Sequence, residues 1–435
     1  MNTRHAVDRL RTRLDLAESG SWPDDCLSAF LRYEDNPEVD RLLREAVFRR
    51  RLGLLAELLP AHLVAADPTV RRDCLALLDL LADAPGSLIE DVLARPSLEP
   101  WLRGTPDAIS AAGLGGLLAA AQCERTGPAI PWSALVAPLH LGRLVVAGHR
   151  GTVAVNEDGT ARITTAGGTV EFDPSSLSSG TARPMISGTT LSFTLPKTRH
   201  GGFVLDGFDT RLTDGGLPTE RPAVGLPRAR RWVDVVDSGS CLLASLDPAA
   251  GRQVDRTLRV LIPYHQLDGR KFGLPQRELI SSTSDGTVGA FGISLGAEDP
   301  VRIAEALVHE HGHTRLRALL WERPMHGEDG PLHEALWCRE PRPVSGLVQG
   351  IAAFTLVTTF LHAAWTAVAD DRLPADHFGT GTPDARVLAL ATTRRRSEVL
   401  HGISQALAAD ELLPFGRRFV SMAHEVVSAV SVEGT

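Results

Sequence analysis

Lysine is nearly absent from this 435-residue chain: Lys197 and Lys271 are the only two, so 43 of its 45 basic residues are arginine. Such a bias reads as GC-rich coding rather than function. The formal net charge of −8 is spread thinly, which speaks against a nucleic-acid-binding surface. Cysteine is also scarce. Cys26, Cys74, Cys123, Cys241 and Cys338 are odd in number and never form a CxxC pair, so neither a disulfide scaffold nor a zinc ribbon is encoded. A reducing cytoplasm fits that usage. Glycine (40) and proline (28) are not repetitive, which excludes collagen and low-complexity disorder. The start, Met1–Leu14, is charged and amphipathic and lacks the apolar stretch of a secretory signal.

Long uncharged runs are likewise rare. Ser345–Ala369 is long enough to span a bilayer, but Gln349, Thr355, Thr358, Thr359, His362 and Thr366 interrupt it. No Lys/Arg asymmetry flanks it, so a buried helix is expected and no membrane contact.

What is present is a change of texture along the chain. Residues 1–130 are apolar at helical spacing (Leu42, Leu43, Ala46, Val47, then Leu52, Leu55, Leu58, Leu59), with breaks at Ser21–Pro23, Asp67–Pro68 and Ala84–Gly86. Residues 131–297 alternate instead. Arg143–Val155 and Ala161–Phe172 read as strands joined by a turn at Asn156–Gly159. Leu191–Leu195, Trp232–Val236, Leu258–Pro263 and Thr287–Leu295 are further strand candidates, separated by loops such as Thr213–Pro227. From 298 to 435 helices return, the first opened by Asp299-Pro300, a cap followed by proline, and expected to reach about Trp321. The fold class expected is α+β: a helical N-terminal region, a central and mostly antiparallel sheet, and a helical C-terminal region with a zincin-like strand–helix unit.

That helix carries His309-Glu310-His311-Gly312-His313, an H-E-x-x-H motif expected by chance roughly 0.03 times at this composition. A spacing of four puts His309 and His313 one turn apart on one face, where both imidazoles reach a single metal ion. Glu310 is the candidate catalytic residue, turned toward a water or substrate at that ion. His311 lies on another face, where packing is its expected role. The motif itself leaves two chemistries open: a zinc hydrolase in which the glutamate activates water, or a non-haem iron oxygenase with open coordination positions. Both require a third ligand. By spacing alone Glu334, 21 residues beyond His313, is one candidate.

The residues that follow carry a resemblance. Trp337-Cys338-Arg339-Glu340-Pro341-Arg342-Pro343, then Gly346-Leu347-Val348-Gln349-Gly350 and Ala353-Phe354, together with Leu307-Val308-His309-Glu310, resemble the HExxH-motif peptide β-hydroxylases. These 2-oxoglutarate-dependent enzymes act on ribosomally made peptide natural products. Weaker similarity reaches Pro96–Leu102 and Leu412–Arg417; the specific part is roughly 285–355. The resemblance implies Fe(II) held by His309 and His313, and Arg342 as the partner of the far carboxylate of 2-oxoglutarate. It implies a precursor peptide as substrate, paired along the strand Thr287–Leu295 near Phe291 and Ser294. Where the family pattern has a histidine as third ligand, this chain has Gln349. His333, Glu334 and His326 are the alternatives for that position, zinc in a zincin-type metallopeptidase is the alternative metal, and a catalytically degenerate homologue that binds a peptide or partner is the alternative to an enzyme.

Overall fold

The computed structural model describes residues 3–14, 16, 22–66, 68–83, 86–96, 98–103, 197–205, 219–220, 226–266, 281–283, 286–294, 299–372 and 384–431, plus strand segments between 139 and 194. Among the described residues six N-terminal helices come first: α1 (Thr3–Arg13), α2 (Asp24–Arg32), α3 (Pro37–Ala65), α4 (Pro68–Ala82), α5 (Gly86–Leu93) and α6 (Leu98–Arg103). The expected breaks coincide with the starts of α2, α4 and α5. Asn36 shows why α3 begins where it does: its side chain accepts from the N–H groups of Glu38 (3.0 Å) and Val39 (3.4 Å), and Pro37 fills the first turn.

Nine short strands follow among the described residues: β1 (Leu139–His140), β2 (Arg143–Ala147), β3 (Thr152–Val155), β4 (Ala161–Thr165), β5 (Gly168–Phe172), β6 (Met185–Ser187), β7 (Thr190–Thr194), β8 (Val204–Leu205) and β9 (Thr219–Glu220). Both alternating runs therefore split in two, each around a pair of glycines (Gly148 and Gly151; Gly167 and Gly168) that weakens a strand interior. β3 and β4 pair antiparallel with Val155 opposite Ala161, as the hairpin requires; Asn156–Gly159 itself lies outside the described residues. The sheets β1-β2-β7-β6 and β3-β4-β5 are antiparallel throughout.

Two helices then interrupt the stretch expected to be β: α7 (Leu226–Leu246) and α8 (Pro248–Thr257). Trp232–Val236 belongs to α7 and is not a strand. Trp232, Val235, Val236, Leu242 and Leu243 are buried at helical spacing, a pattern too long to show in a five-residue run rich in Trp and Val.

β10 (Val260–Gln266), β11 (Ser281–Ser282) and β12 (Ala290–Ser294) complete a mixed sheet of order β11-β12-β10-β8, with β9 on the far end of β10. β12 runs parallel to β10, and β10 parallel to β8; β11 alone is antiparallel along that path. The expectation of a mostly antiparallel sheet therefore fails here. All five residues of β12 are buried, the mark of a strand covered on both faces.

The C-terminal helices are α9 (Pro300–Glu322), α10 (Val344–Ala369), α11 (Ala385–Ala408) and α12 (Pro414–Ser428). Asp299 caps α9 by accepting from the Val301 N–H at 2.9 Å. α10, the apolar run, packs against α9, α11 and α12. Its most apolar window is 72% buried, so among the described residues the one helix both long and apolar enough to cross a membrane is mostly buried in the core. α9 lies between two cores. Phe203, Trp232, Leu261 and Phe291 form one side; Phe30, Leu347, Ile351 and Phe419 form the other. The chain is thus α+β, predominantly helical, with the motif helix at its centre.

The glycine inside the motif explains the contact between α9 and α10. A Cβ at Gly312 would lie 2.8 Å from the Cα of Ala353, a backbone atom that cannot yield. Gly312→Ala is expected to cost about 1–3 kcal/mol by forcing the helices apart. Gly53→Ala in α3, where nothing lies within 4 Å, is expected to stabilise by about 0.5–1 kcal/mol. Denaturant unfolding of the two variants measures both; a stabilised Gly312→Ala would show that this contact is not tight.

Candidate metal centre

α9 delivers its two motif histidines to one point. His309 Nε2 and His313 Nε2 are 2.9 Å apart, with their rings edge to face and centroids separated by 4.5 Å. Two nitrogens bound to one ion at about 2.1 Å, with an angle near tetrahedral or octahedral, stand about 3.0–3.4 Å apart. The observed spacing is within a few tenths of an ångström of that. Burial, then His313 and Arg395, hold the His309 pKa well below the ordinary imidazole value. An uncharged ring keeps a lone pair for a metal.

Aromatic rings wall the pair on the α10 side. The Phe354 ring sits 4.6 Å from His309, and Trp337 sits 5.6 Å from Phe354. Trp337 gets there because α10 and α11 present Gly350 and Gly402 to its indole, where any Cβ would collide with the ring. The Arg395 guanidinium lies over Phe354 at 4.3 Å, with its terminal nitrogens held by Glu305 (3.1 Å) and Glu398 (2.6 Å).

Glu310 turns about 100° away from His309 and meets the sheet. Ser281 of β11 donates to its Oε1 at 2.6 Å, while Oε2 is buried without a hydrogen-bond partner. Burial pushes its pKa up to about 7, against the opposing pull of Ser281, Thr283 and Arg317. His311 occupies the opposite face. It stacks on Tyr33, receives or gives a hydrogen bond to the Tyr33 hydroxyl (2.9 Å), and contacts Thr257 Oγ1 (3.1 Å). That is a packing role.

The remaining candidates are placed as follows. Gln349 is half-buried on α10, one turn before Ala353 and so on the face that meets Gly312. Arg342 is exposed; its Nε donates to Cys338 Sγ (3.4 Å) and its backbone bridges His333. Glu334 is exposed and pairs with His401 at 3.3 Å. His326 is half-buried, with Nδ1 2.8 Å from the Gly327 carbonyl oxygen. Among the described residues, no group of three or more His, Cys, Asp or Glu side chains forms a metal cluster. Phe291 is buried against Phe203 in a T-shaped contact, and Ser294 is buried in β12, which lies between β10 and β11. Thr287–Leu295 therefore does not edge a cleft; the outer strand is β11. Nothing in the alternation of the sequence marks Ser281, Thr283 or Arg395 as neighbours of the motif, since each arrives from a distant element.

No protein-family model matches the chain, and no curated protein matches it.

The Glu310 carboxyl supplies a pH test on metal-free protein. Its folded pKa lies above the unfolded value near 4.5, so the folded state binds the proton more tightly. Stability is then highest below pH 4.5 and falls by about 3 kcal/mol as pH rises through 7. Glu310→Gln is expected to remove that decline. Urea unfolding at pH 5 and pH 8 compares the two proteins, and equal declines would assign the effect to other groups.

Proposed function

We propose that the chain is a cytoplasmic mononuclear metal enzyme with His309 and His313 as ligands, and specifically an Fe(II)/2-oxoglutarate-dependent oxygenase. In this reading it hydroxylates a β-carbon in a ribosomally made precursor peptide. The convergence of the two Nε2 atoms at 2.9 Å carries the metal assignment. The sequence resemblance over Leu307–Glu310 and Trp337–Phe354 supports the choice of oxygenase.

The donor set fits an ion at two positions; in this reading Gln349 would supply a third through its amide oxygen, a neutral and weaker donor than imidazole. Fe(II) with 2-oxoglutarate and O₂ supplies the one capability side chains lack, oxidation of an unactivated C–H bond. The residues do the rest. His309 and His313 stay uncharged and aligned; Phe354 and Trp337 keep water away from their face. Arg342, exposed and permanently charged, is the partner for the distal carboxylate, whereas Arg395 is already committed to Glu305 and Glu398. The outer edge of β11 takes the peptide in extended form, beside the carboxyl of Glu310.

A zinc peptidase is the second reading, favoured by one observation: a buried glutamate with pKa near 7 beside a histidine pair suits a general base.

One experiment separates them. Protein purified without oxygen is expected to retain about one iron and convert 2-oxoglutarate to succinate. His309→Ala or His313→Ala loses both while the fold survives, with the melting temperature of metal-free wild type as the reference. Tight zinc with peptide cleavage would replace the first reading by the second, and no metal in wild type would end both. Gln349→His is expected to tighten Fe(II) binding by about tenfold or more. Unchanged affinity would remove Gln349 from the coordination sphere.

A further inference from the structure

On the side of α9 away from the histidine pair lies a cavity of about 300 Å³, bounded by α3, α5, α8 and α9. With His309 at 0° and His313 at about 40° on the helix, Thr314, Ala318 and Arg315 fall at about 140°, 180° and 240°. These three residues line the cavity, so it is not the space the motif histidines face.

Its charge is unbalanced. Arg44, Arg51, Arg256, Arg259 and Arg315 line it against only two carboxylates, Asp40 and Glu90. Two of the five guanidiniums are buried outright: Arg51 is 0% exposed and Arg315 2%. Neither makes a salt bridge among the described residues. Arg51 donates to the carbonyl oxygens of Leu93 and Val288, and Arg315 to that of Phe30 (3.1 Å). The carboxylates that favour their charges electrostatically are engaged elsewhere: Glu99 by Arg103 (2.7 Å), Asp40 by Arg256 (2.9 Å). Three buried donors are left without partners: Arg51 Nε, Arg315 Nη2 and the Thr314 hydroxyl. Arginine does not shed its proton to escape such a position, and a buried charge without a counter-ion is costly. The rest of the wall is apolar, with Leu43, Val47, Phe48 and Val288.

We infer that this cavity binds an oxyanion, the carboxylate or phosphate head of a small molecule whose apolar body rests on the Leu43–Val47–Phe48 wall. The planar forks of Arg51 and Arg315 suit either head, and the cavity volume is that of a small-ligand site. The inference is independent of the metal chemistry.

Calorimetric titration of the full chain with phenyl phosphate, benzoate and inorganic phosphate, each against sodium chloride at equal ionic strength, tests it. Saturable binding of one equivalent is expected. Phenyl phosphate in preference to benzoate assigns a phosphate head, the reverse order a carboxylate. Arg315→Met is expected to weaken binding by about tenfold or more, the scale of a lost charged hydrogen bond. Arg44→Ala, at an exposed position that leaves the fold untouched, weakens it several-fold even if the buried variant fails to fold. His309→Ala leaves it unchanged. The inference is overturned if no probe binds beyond the chloride control, if affinity survives in both arginine variants, or if it disappears in His309→Ala.

Discussion

Burial of α9 on nearly every face is the constraint from which the rest follows. Sixteen of its 23 residues are buried, yet the helix carries three histidines, Glu310, Arg315 and Arg317 within nine positions. A core helix gains nothing from such residues: each polar group removed from water needs a partner or costs free energy. The surrounding elements are arranged as partners. Tyr33 and Thr257 take His311, Ser281 takes Glu310, and the Phe30 carbonyl and ring take Arg315. His309 and His313 have each other. Gly312 brings α10 close enough to seal the arrangement.

The satisfaction is incomplete, here as at other buried polar atoms among the described residues such as His62 Nδ1, Gln253 Oε1 and Thr355 Oγ1. Glu310 Oε2 is unpaired beside the histidine pair, while Arg51, Arg315 and Thr314 leave donors unpaired around the arginine cavity. A half-satisfied buried network is worse for stability than an apolar core of the same shape. The two groups of polar side chains lie on different faces of one helix, the arrangement that the proposed metal site and the inferred anion site would both use.

The parts legible in the sequence are those fixed by local chemistry. Asp299-Pro300 announces α9, the uncharged run announces α10, and the four-residue spacing announces the histidine pair. None of these depends on the rest of the fold. The failures share a different cause. Trp232–Val236 is rich in the β-favouring residues Trp and Val, but its partners Leu242 and Leu243 lie on the next turns, and only the packed helix reveals the longer period. β12 looks like an edge strand until Ser281 and Ser282 arrive from an intervening loop region to cover it. The arginines of the cavity come from three separate helices and a loop, so no window of sequence contains them.

The third ligand position belongs with these tertiary properties. Two ligands one turn apart are set by the pitch of a helix, whereas a third must be brought by another element at an angle and distance that packing decides. Here that packing is the seat of Gly312 against Ala353, and Gln349 lies one turn along the same face. The exposed Glu334, which spacing alone favoured, is drawn off to His401, and Arg342 closes a bridge with His333. Spacing in sequence therefore says little about which side chains share a face with the histidine pair, and the helix–helix contact says more, because the same two glycine and alanine backbones that set the approach of α10 also set where its next turn lies.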